Sequence, residues 1–300
     1  MREELLVGLD YLDGVTTLLQ RVRRAHPTHG SYQAAELQWW WSVPRSTDGL
    51  GQLFWFDDVG RPEAAFIVTD FGDGSSALYE DPTLVVVIMP DVDPGWVAHA
   101  VERGFAHLGE HGIGAVELEV DRSDDVMVDV LSGHGFALRG DGMIESWMNA
   151  DSRPGISALP DGYRLVSRSD TIDRPHHMAH PRRPDVEQRL QQTSLYRSDL
   201  DLLILDESDE VAAYGLFWHD PVTATGVVEP MRTLDDHQRR GLARHLLTAG
   251  VDLLAEVGAE RISIAYHPDN PASGHLYRSV GFQPHRQTDV YFRGVGAPPA

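Results

Sequence analysis

The sequence predicts an α/β fold with a mixed sheet, built as two domains of similar architecture. The chain has 300 residues, which is enough for two domains that each bury a core. From Thr225 to Arg293, extended and helical patterns alternate as they do where helices pack on a sheet. The glycines and the apolar stripe of this region recur 146 residues earlier, which indicates a duplicated domain rather than a short repeat.

The first part of the chain contains helical patterns followed by extended ones. Apolar residues from Val15 to Val22 at helical spacing predict a helix, and Glu36 to Trp41 forms a second apolar cluster. Three adjacent tryptophans cannot share one helical face, so we expect them in a core or at an interdomain surface, with an aromatic pocket wall as the alternative. Strands are predicted at Leu53 to Asp57, Glu63 to Asp70 and Thr83 to Met89, and a turn at Gly72-Asp73-Gly74.

The second part gives the clearest order of elements. A strand from Thr225 to Thr233 leads through an acidic loop into a helix, which Gly258 ends. Further strands are predicted at Arg261 to Tyr266 and Thr288 to Arg293, on either side of a helix that Asn270 caps. The apolar stripe of the first helix comprises Ala243, Leu246, Leu247, Gly250, Val251 and Leu254.

Arginines crowd the start of that helix, in an otherwise acidic protein. Arg239, Arg240 and Arg244 flank Gly241, although a helix N-terminus carries partial positive charge and favours acids. Free backbone N–H groups, a glycine and arginine forks together suit a phosphate. We therefore predict that this segment, here called the phosphate loop, binds a phosphorylated ligand.

Three motifs in this region resemble those of the GNAT superfamily of acyl-CoA-dependent N-acyltransferases. They are Gln238-x-x-Gly241-x-Ala243, Asn270-x-x-Ser273-x-x-x-Tyr277 and Gly281-Phe282, in the family's order and spacing. The resemblance implies that acetyl-CoA is the donor, with its pyrophosphate on the loop and its pantetheine beside a strand that splays near Pro230. It implies these donor-binding residues: Met231, Arg232, Thr233, Gln238, Arg239, Arg240, Gly241, Leu242, Ala243, Arg244, Asn270 and Ser273.

The resemblance also suggests the catalytic residues. An alkyl amine with a pKa near 10.4 is separated from its neutral form by about 4.6 kcal/mol at pH 7, so a base is valuable. Glu229 lies where the family often has a carboxylate base, with His219, Asp220 or a water as rivals. Tyr277 lies where the family commonly has the tyrosine that protonates sulfur.

The two repeats differ in the residues that would hold phosphate. Arg239 falls on Asp93 and Tyr277 falls on Leu131, so the first repeat keeps the scaffold without the cationic grip. The resulting expectation is a degenerate GNAT-like domain over residues 1–150, a linker at 151–160, and a catalytic GNAT domain over 161–300. We expect the first domain to be structural or to supply a wall of the acceptor pocket.

Composition excludes several other classes of function. The chain has no cysteine and carries a formal charge of −21, which argues against thiolate chemistry, nucleic acids and anionic membranes as partners. The sequence shows neither a signal peptide nor an apolar run long enough to cross a membrane, so we expect a cytoplasmic protein. His176, His177 and His180 lack an obvious carboxylate partner in the sequence, and we predict no metal.

The sequence thus predicts an acetyl-CoA-dependent N-acetyltransferase whose acceptor is a primary amine of a small molecule or peptide. One alternative is a CoA-binding sensor or partner module without turnover. Another is an acyltransferase that acts on a hydroxyl or moves a longer acyl group. Acceptor identity and oligomeric state do not follow from the sequence, because acceptor loops vary freely on one fold.

Overall fold

A computed structural model describes residues 1–72, 79–90, 92–181 and 183–294. The predicted turn at Gly72-Asp73-Gly74 falls mostly outside these residues, since Asp73 and Gly74 are not described. The first half of the chain forms β1 (Arg2–Leu6), α1 (Leu9–Ala25), α2 (Ala34–Trp41), β2 (Gln52–Phe56), β3 (Pro62–Thr69), β4 (Thr83–Ile88), α3 (Pro94–Glu110), β5 (Val116–Asp121), α4 (Asp125–Gly133) and β6 (Ala137–Asn149).

The second half repeats this order with a shorter helical region after its first strand. It forms β7 (Arg164–Ser167), α5 (Val186–Gln191), β8 (Asp201–Leu205), β9 (Val211–Asp220), β10 (Thr225–Thr233), α6 (Leu242–Glu256), β11 (Arg261–Tyr266), α7 (Pro271–Val280) and β12 (Gln283–Arg293). No helix among the described residues is long and apolar enough to cross a membrane.

The chain folds into two compact units that are not consecutive stretches of sequence. Unit 1 contains residues 1–34, 44–143 and 286–300, and unit 2 contains residues 35–43 and 144–285. The end of β6 therefore belongs to unit 2, and most of β12 belongs to unit 1. The sequence bounds 1–150, 151–160 and 161–300 describe the repeats and stay a prediction.

Both units have a mixed sheet with the same pairing pattern. In unit 1, β1 to β4 form an antiparallel meander, β4 pairs in parallel with β5, and β5 pairs antiparallel with β12. In unit 2, β7 to β10 form the meander, β10 pairs in parallel with β11, and β11 pairs antiparallel with β6. Each repeat therefore gives its last strand to the other repeat's unit, which the sequence pattern did not predict.

A glycine lets the main helix of each unit lie close to its sheet. A Cβ atom at Gly250 on α6 would lie 2.1 Å from the ring of Phe217 on β9. The equivalent atom at Gly104 on α3 would lie 2.2 Å from the ring of Phe66 on β3. Both rings are almost fully buried. The two glycines therefore occur at equivalent positions because the same contact between a helix and a phenylalanine ring is made in each unit.

The tryptophan cluster lies in unit 2. Trp39 and Trp41 on α2 are 9% and 7% exposed and Trp40 is half-buried, so the choice between a core position and a pocket wall stays open. Trp41 Nε1 donates to Gln192 Oε1 at 3.0 Å, and Gln38 Oε1 accepts from the Leu195 amide at 2.8 Å. A segment of the first repeat thus packs against the chain around Gln192 and Leu195 in unit 2.

Candidate active site

The central strands of unit 2 separate at the position of Glu229. β10 pairs with β11 only from Thr225 to Val228, and its pairing with β9 shifts between Val228 and Met231. The peptide bond between Glu229 and Pro230 is cis. Proline cannot donate to a ladder and is found at edges and bulges, which accounts for the break. We call the gap between residues 229–233 of β10 and the end of β11 the donor slot.

The residues of β10 that are predicted to bind the donor lie along this slot. Met231, Arg232 and Thr233 pair with residues of β9 on one edge, so the other edge of the strand faces the gap. Within the described residues, the buried Thr233 Oγ1 has no hydrogen-bond partner. A ligand that supplies amide groups can satisfy such an edge.

Glu229 is a half-buried carboxyl beside the slot. Strand alternation puts it on the same face as Val227, which pairs with Trp218. The Trp218 indole donates to the Glu229 carbonyl oxygen at 2.6 Å and fixes the backbone there. Burial raises the pKa of Glu229 to about 7. A carboxyl with this pKa is both a proton acceptor and a proton donor near neutral pH.

Tyr277 lies on α7 and is 6% exposed. Its ring contacts Tyr266 and Phe282 edge-on, with centroids 5.8 Å and 6.4 Å away. The pKa of Tyr277 is raised to about 12, chiefly by burial; a hydrogen bond with Ser273 opposes this rise, and the negative charge of Glu229 contributes to it. The phenol therefore keeps its proton at neutral pH and is close enough to Glu229 to be affected by its charge.

Asn270 and Ser273 form the start of α7. The Asn270 side chain accepts from the Ser273 amide at 3.3 Å and caps the helix, as the sequence predicts. The Asn270 side chain therefore stabilises the N-terminus of α7. The Ser273 side chain forms a hydrogen bond with Tyr277 that lowers the pKa of the phenol.

The phosphate loop leaves the start of α6 open. Gly241 is the N-cap with φ at 86°, and no side chain caps the helix. A Cβ atom at Gly241 would meet nothing within 4 Å, so the left-handed backbone conformation is what requires glycine there. Leu242 and Ala243 then begin the helix with backbone N–H groups directed outward, which is the arrangement that binds phosphate elsewhere.

The arginines of the loop have different partners. Arg240 donates to the Tyr163 hydroxyl at 3.1 Å and to the Asp236 carbonyl at 3.0 Å, and Arg244 donates to Ser279 Oγ at 2.7 Å. Arg239 is exposed at φ 59°, and no described residue forms an ion pair or hydrogen bond with its side chain. Arg239 is therefore the cation of the loop that is free to meet an anion.

Gln238 completes the loop with a polar contact of its own. Its amide donates to Asp235 Oδ1 at 3.0 Å across the preceding short helical turn, which comprises residues 235–237. This contact fixes the entry to the phosphate loop from the end of β10. The acidic residues that precede the phosphate loop thus support its conformation and leave its backbone N–H groups accessible.

The rival bases lie away from the slot. His219 and Asp220 pair with Gly226 and Thr225, about 10 Å along β10 from Glu229 at the usual rise per residue. Alternation also puts His219 on the opposite face from Trp218. Asp220 Oδ1 accepts from the Val222 amide in the following turn. This placement favours Glu229, or a water beside it, over both rivals.

A buried polar cluster lies on the Glu229 face of the sheet, and sequence reasoning missed its carboxylate. His176 Nε2 lies 3.0 Å from Asp201 Oδ2, His177 Nε2 lies 3.4 Å from Asp201 Oδ1, and the Tyr196 hydroxyl donates to Asp201 at 2.9 Å. The sequence did offer one signal for this cluster: an acid stands at the start of the buried strand Asp201–Leu205. A buried acid needs hydrogen-bond or charged partners.

The geometry of this cluster bears on metal binding. The ligand atoms of His176, His177 and Asp201 lie within 4.8 Å of one another. However, His176 Nδ1 accepts from the Met178 amide at 3.1 Å, which leaves the ring proton on Nε2, where it faces Asp201. A metal on Nε2 would require the opposite tautomer. His176 and Asp201 are therefore satisfied as a hydrogen-bonded pair, and the expectation of no metal stays a prediction.

Unit 1 carries a carboxylate where the phosphate loop of unit 2 is open. Asp93 caps α3 by accepting from the Gly95 amide at 2.9 Å and the Trp96 amide at 3.2 Å. Gly95 is the repeat equivalent of Gly241, so the side chain occupies the backbone donors that would otherwise face an anion. In unit 1 a carboxylate of the chain itself thus satisfies the helix start that has no side-chain cap in unit 2.

Unit 1 nevertheless keeps a cavity of about 580 Å³. β4 and β5 pair only at Thr83 and Glu117, and the cavity opens beyond that point. Its lining includes apolar residues of β4 and β5 together with Asp121 and Arg286, which form an ion pair at 2.5 Å. The scaffold of a slot is thus present in both units, whereas the open phosphate loop is present in unit 2.

Comparison with known proteins agrees with this architecture. Residues 164–282 match the Acetyltransferase (GNAT) family. A mycothiol acetyltransferase from Tsukamurella paurometabola is 32% identical over 89 residues, which cover 29% of this chain and 30% of that protein. The match therefore spans under a third of that relative's length.

Two solved structures share the fold over the whole chain at 15% identity. One is a GCN5-related N-acetyltransferase from Sphaerobacter thermophilus, with a TM-score of 0.61 and coverage of 100% of this chain and 96% of that one. The other is a tandem GNAT protein from the clavulanic acid biosynthesis pathway, with a TM-score of 0.64 and coverage of 100% and 99%. The chain therefore has the fold of a tandem GNAT protein, and its residues 164–282 match the GNAT acetyltransferase family.

Proposed function

We propose that this protein is an acetyl-CoA-dependent N-acetyltransferase whose acceptor is a primary amine of a small molecule or peptide. One observation carries the proposal. In unit 2 a carboxyl with a pKa of about 7 and a buried phenol lie at a slot that leads to an open helix N-terminus. A sensor needs only the open loop, whereas proton transfer needs the other two groups.

Donor binding is assigned to the phosphate loop and the slot. The backbone N–H groups at Leu242 and Ala243 and the guanidinium of Arg239 suit the pyrophosphate. The unpaired edge of β10 from Met231 to Thr233 suits the amides of pantetheine. Acetyl-CoA supplies the thioester carbonyl that the amine attacks and the thiolate that leaves.

Glu229 is assigned the role of base. The amine loses a proton as its nitrogen forms the new bond to the acetyl carbon, and the Glu229 carboxylate accepts that proton directly or through a water. A base with a pKa near 7 is ionised in half of the molecules at neutral pH, and it still accepts a proton more readily than an ordinary glutamate. Burial therefore adapts this residue to the task.

Tyr277 is assigned the role of acid. As the carbon–sulfur bond breaks, the phenol protonates the thiolate. With a phenol pKa of about 12 and a thiol pKa near 8.5, complete transfer is uphill by about 5 kcal/mol. Part of this difference disappears during the reaction, because the charge of Glu229 raises the Tyr277 pKa and is neutralised once Glu229 has taken the amine proton.

The test is release of CoA thiol from acetyl-CoA with a panel of amines, in the wild type and in two variants. We expect Tyr277→Phe to lower kcat by about 10- to 10⁴-fold with unchanged affinity for CoA, since only the proton donor is lost. We expect Glu229→Gln to lose activity at pH 7 and to recover part of it in alkali, which supplies neutral amine.

The two variants test different protons and should have different pH profiles. Wild-type activity on a proven amine in both variants would refute the assigned roles. If no amine or hydroxyl acceptor releases thiol while acetyl-CoA binds, the sensor function becomes the better explanation. If hydroxyl compounds or longer acyl donors react faster than amines and acetyl-CoA, the alternative acyltransferase is supported.

A further inference from the structure

Arg183 is a half-buried arginine whose guanidinium has no acidic or hydrogen-bonded partner among the described residues. Two other arginines of unit 2 with little exposure behave differently. Arg168 is 3% exposed and bonds to Glu187 at 2.9 Å and to backbone carbonyls, and Arg189 donates to the Trp41 carbonyl. Removing a guanidinium from water without a partner costs free energy. A ligand that pairs with Arg183 would offset that cost.

The setting of Arg183 leaves its donors available. Its guanidinium carbon lies 5.1 Å from the ring centroid of Trp39, which is 9% exposed and forms a floor beneath it. An aromatic floor covers the flat face of a guanidinium, while the N–H groups around its rim stay free. A rim of parallel N–H groups on a fixed plane matches a carboxylate better than any other common group.

Two further polar side chains, Tyr214 and His177, lie in this part of unit 2. Tyr214 is within electrostatic range of Arg183, and the Tyr214 hydroxyl has no hydrogen-bond partner among the described residues. The His177 ring lies 4.9 Å from the Tyr214 ring. Its side chain is only 1% exposed and its Nε2 lies 3.4 Å from Asp201 Oδ1, yet neither ring nitrogen forms a hydrogen bond with any residue that the structure describes. Potential hydrogen-bond donors thus converge on one place.

The carboxyl nearest to this place is held by other groups. Asp201 accepts from His176 and Tyr196. Its other oxygen faces His177 Nε2, and burial raises the Asp201 pKa, which favours its neutral form. Asp201 is therefore poorly placed to pair with Arg183, and the converging groups remain suited to an anion.

These groups share a sheet face with Glu229. Tyr214, Leu216 and Trp218 alternate along β9 on the face opposite Phe217, which packs against α6. Glu229 and Pro230 lie between Val228 and Met231, which pair with Phe217 and Gly215, so the two residues together span the position of Leu216. Tyr214 is two residues farther along, or about 7 Å at the usual rise of a strand.

We infer that Arg183, with Tyr214, binds a carboxylate at the far end of the acceptor while the acceptor's amine reacts beside Glu229. The inference rests on the proposed function. The backbone positions of Tyr214 and Glu229 are farther apart than the amine and carboxylate of a free α-amino acid, which are joined through one carbon. This separation fits an acceptor with its carboxylate several bonds from its amine, such as an ω-amino acid or a short peptide.

The kinetic test compares acceptors that differ only in the anion. CoA release is measured with 6-aminohexanoate and 6-aminohexanamide, and with glycine as the short control. We expect the acid to exceed the amide in kcat/KM by about 10- to 100-fold, as for one charge-assisted contact, and glycine to react poorly. In Arg183→Gln the acid should fall to the level of the amide, while the amide changes little.

Two further variants separate binding from folding. Arg183→Lys keeps the charge but loses the fork and the aromatic contact, so it should recover only part of the preference. Arg189→Gln is the matched control, because Arg189 also lies over a tryptophan, Trp41, at 3.9 Å. It should leave the preference for the acid intact even if the melting temperature falls.

A binding test gives an answer even if no amine is turned over. Calorimetry with CoA-saturated protein compares 6-acetamidohexanoate with 6-acetamidohexanamide. Tighter binding of the acid to the wild type, lost in Arg183→Gln, supports the carboxylate subsite even where turnover, and with it the proposed function, fails. Equal binding of acid and amide by the wild type, or a preference kept in Arg183→Gln, overturns the inference.

Discussion

Replacing Glu229 with glutamine should stabilise the protein in alkali and leave its stability unchanged in acid. The pKa of Glu229 is about 7 in the folded protein, against a reference value of 4.5. Between these values the unfolded carboxyl has lost its proton while the folded one keeps it. The unfolded state then binds fewer protons, so the free energy of unfolding falls as the pH rises through this window.

The magnitude follows from the two pKa values. The folded and unfolded pKa values of Glu229 differ by about 2.5, and one pKa unit corresponds to 1.36 kcal/mol. The free energy of unfolding is therefore lowered by at most about 3 kcal/mol at pH 8. Glutamine has the same shape and no charge, so Glu229→Gln should recover that free energy. The effect should develop between pH 4.5 and 7 and be complete near pH 8.

The assay is urea unfolding of the wild type and Glu229→Gln at a series of pH values, followed by tryptophan fluorescence. Glu256→Gln, which makes the same chemical change at an exposed position on α6, is the control. We expect the curves of the wild type and Glu229→Gln to meet at pH 4 and to separate above it. A constant difference at all pH values, or a wild type more stable than the variant at pH 8, would refute the reasoning.

The remaining predictions concern the donor site and the packing of α6. Arg239→Glu should weaken acetyl-CoA binding by about 10- to 100-fold in calorimetry, since it reverses one charge-assisted contact, whereas Arg2→Glu in unit 1 should not. Calorimetry should also give one CoA per chain, because Asp93 occupies the backbone donors of the first repeat; two per chain would contradict this. Gly250→Ala should destabilise the protein by about 1–3 kcal/mol in thermal or urea unfolding, because its methyl group would overlap Phe217, and Phe217→Leu should relieve part of that loss.

Much of the fold followed from local pattern. Glycine, proline and the apolar stripe of α6 predicted the order of elements from β10 to β12, and the repeat transferred that order to the first half of the chain. β1, α5 and β8 were not predicted, because a short exposed strand, a six-residue helix and a uniformly apolar strand carry little periodicity.

The donor end of the candidate site was also accessible from sequence. A phosphate loop depends on residues close together in the chain, and its glycine, its arginines and the helix that follows are all local features. Pro230 predicted a break in β10 for a similarly local reason, since proline lacks the N–H that a ladder requires. The assigned roles of Glu229 and Tyr277 came from family resemblance and stay proposals.

The sequence by itself determined the repeats, the mixed sheet, the open phosphate loop of the second repeat and the acid that replaces arginine in the first. Only the tertiary structure decided which strands complete each sheet, because β6 and β12 have the same alternating pattern in either unit. It also brought Asp201 to His176 and His177, and Arg183 to Trp39. Those pairs are far apart in sequence, and long-range contacts of this kind follow from packing rather than from local preference.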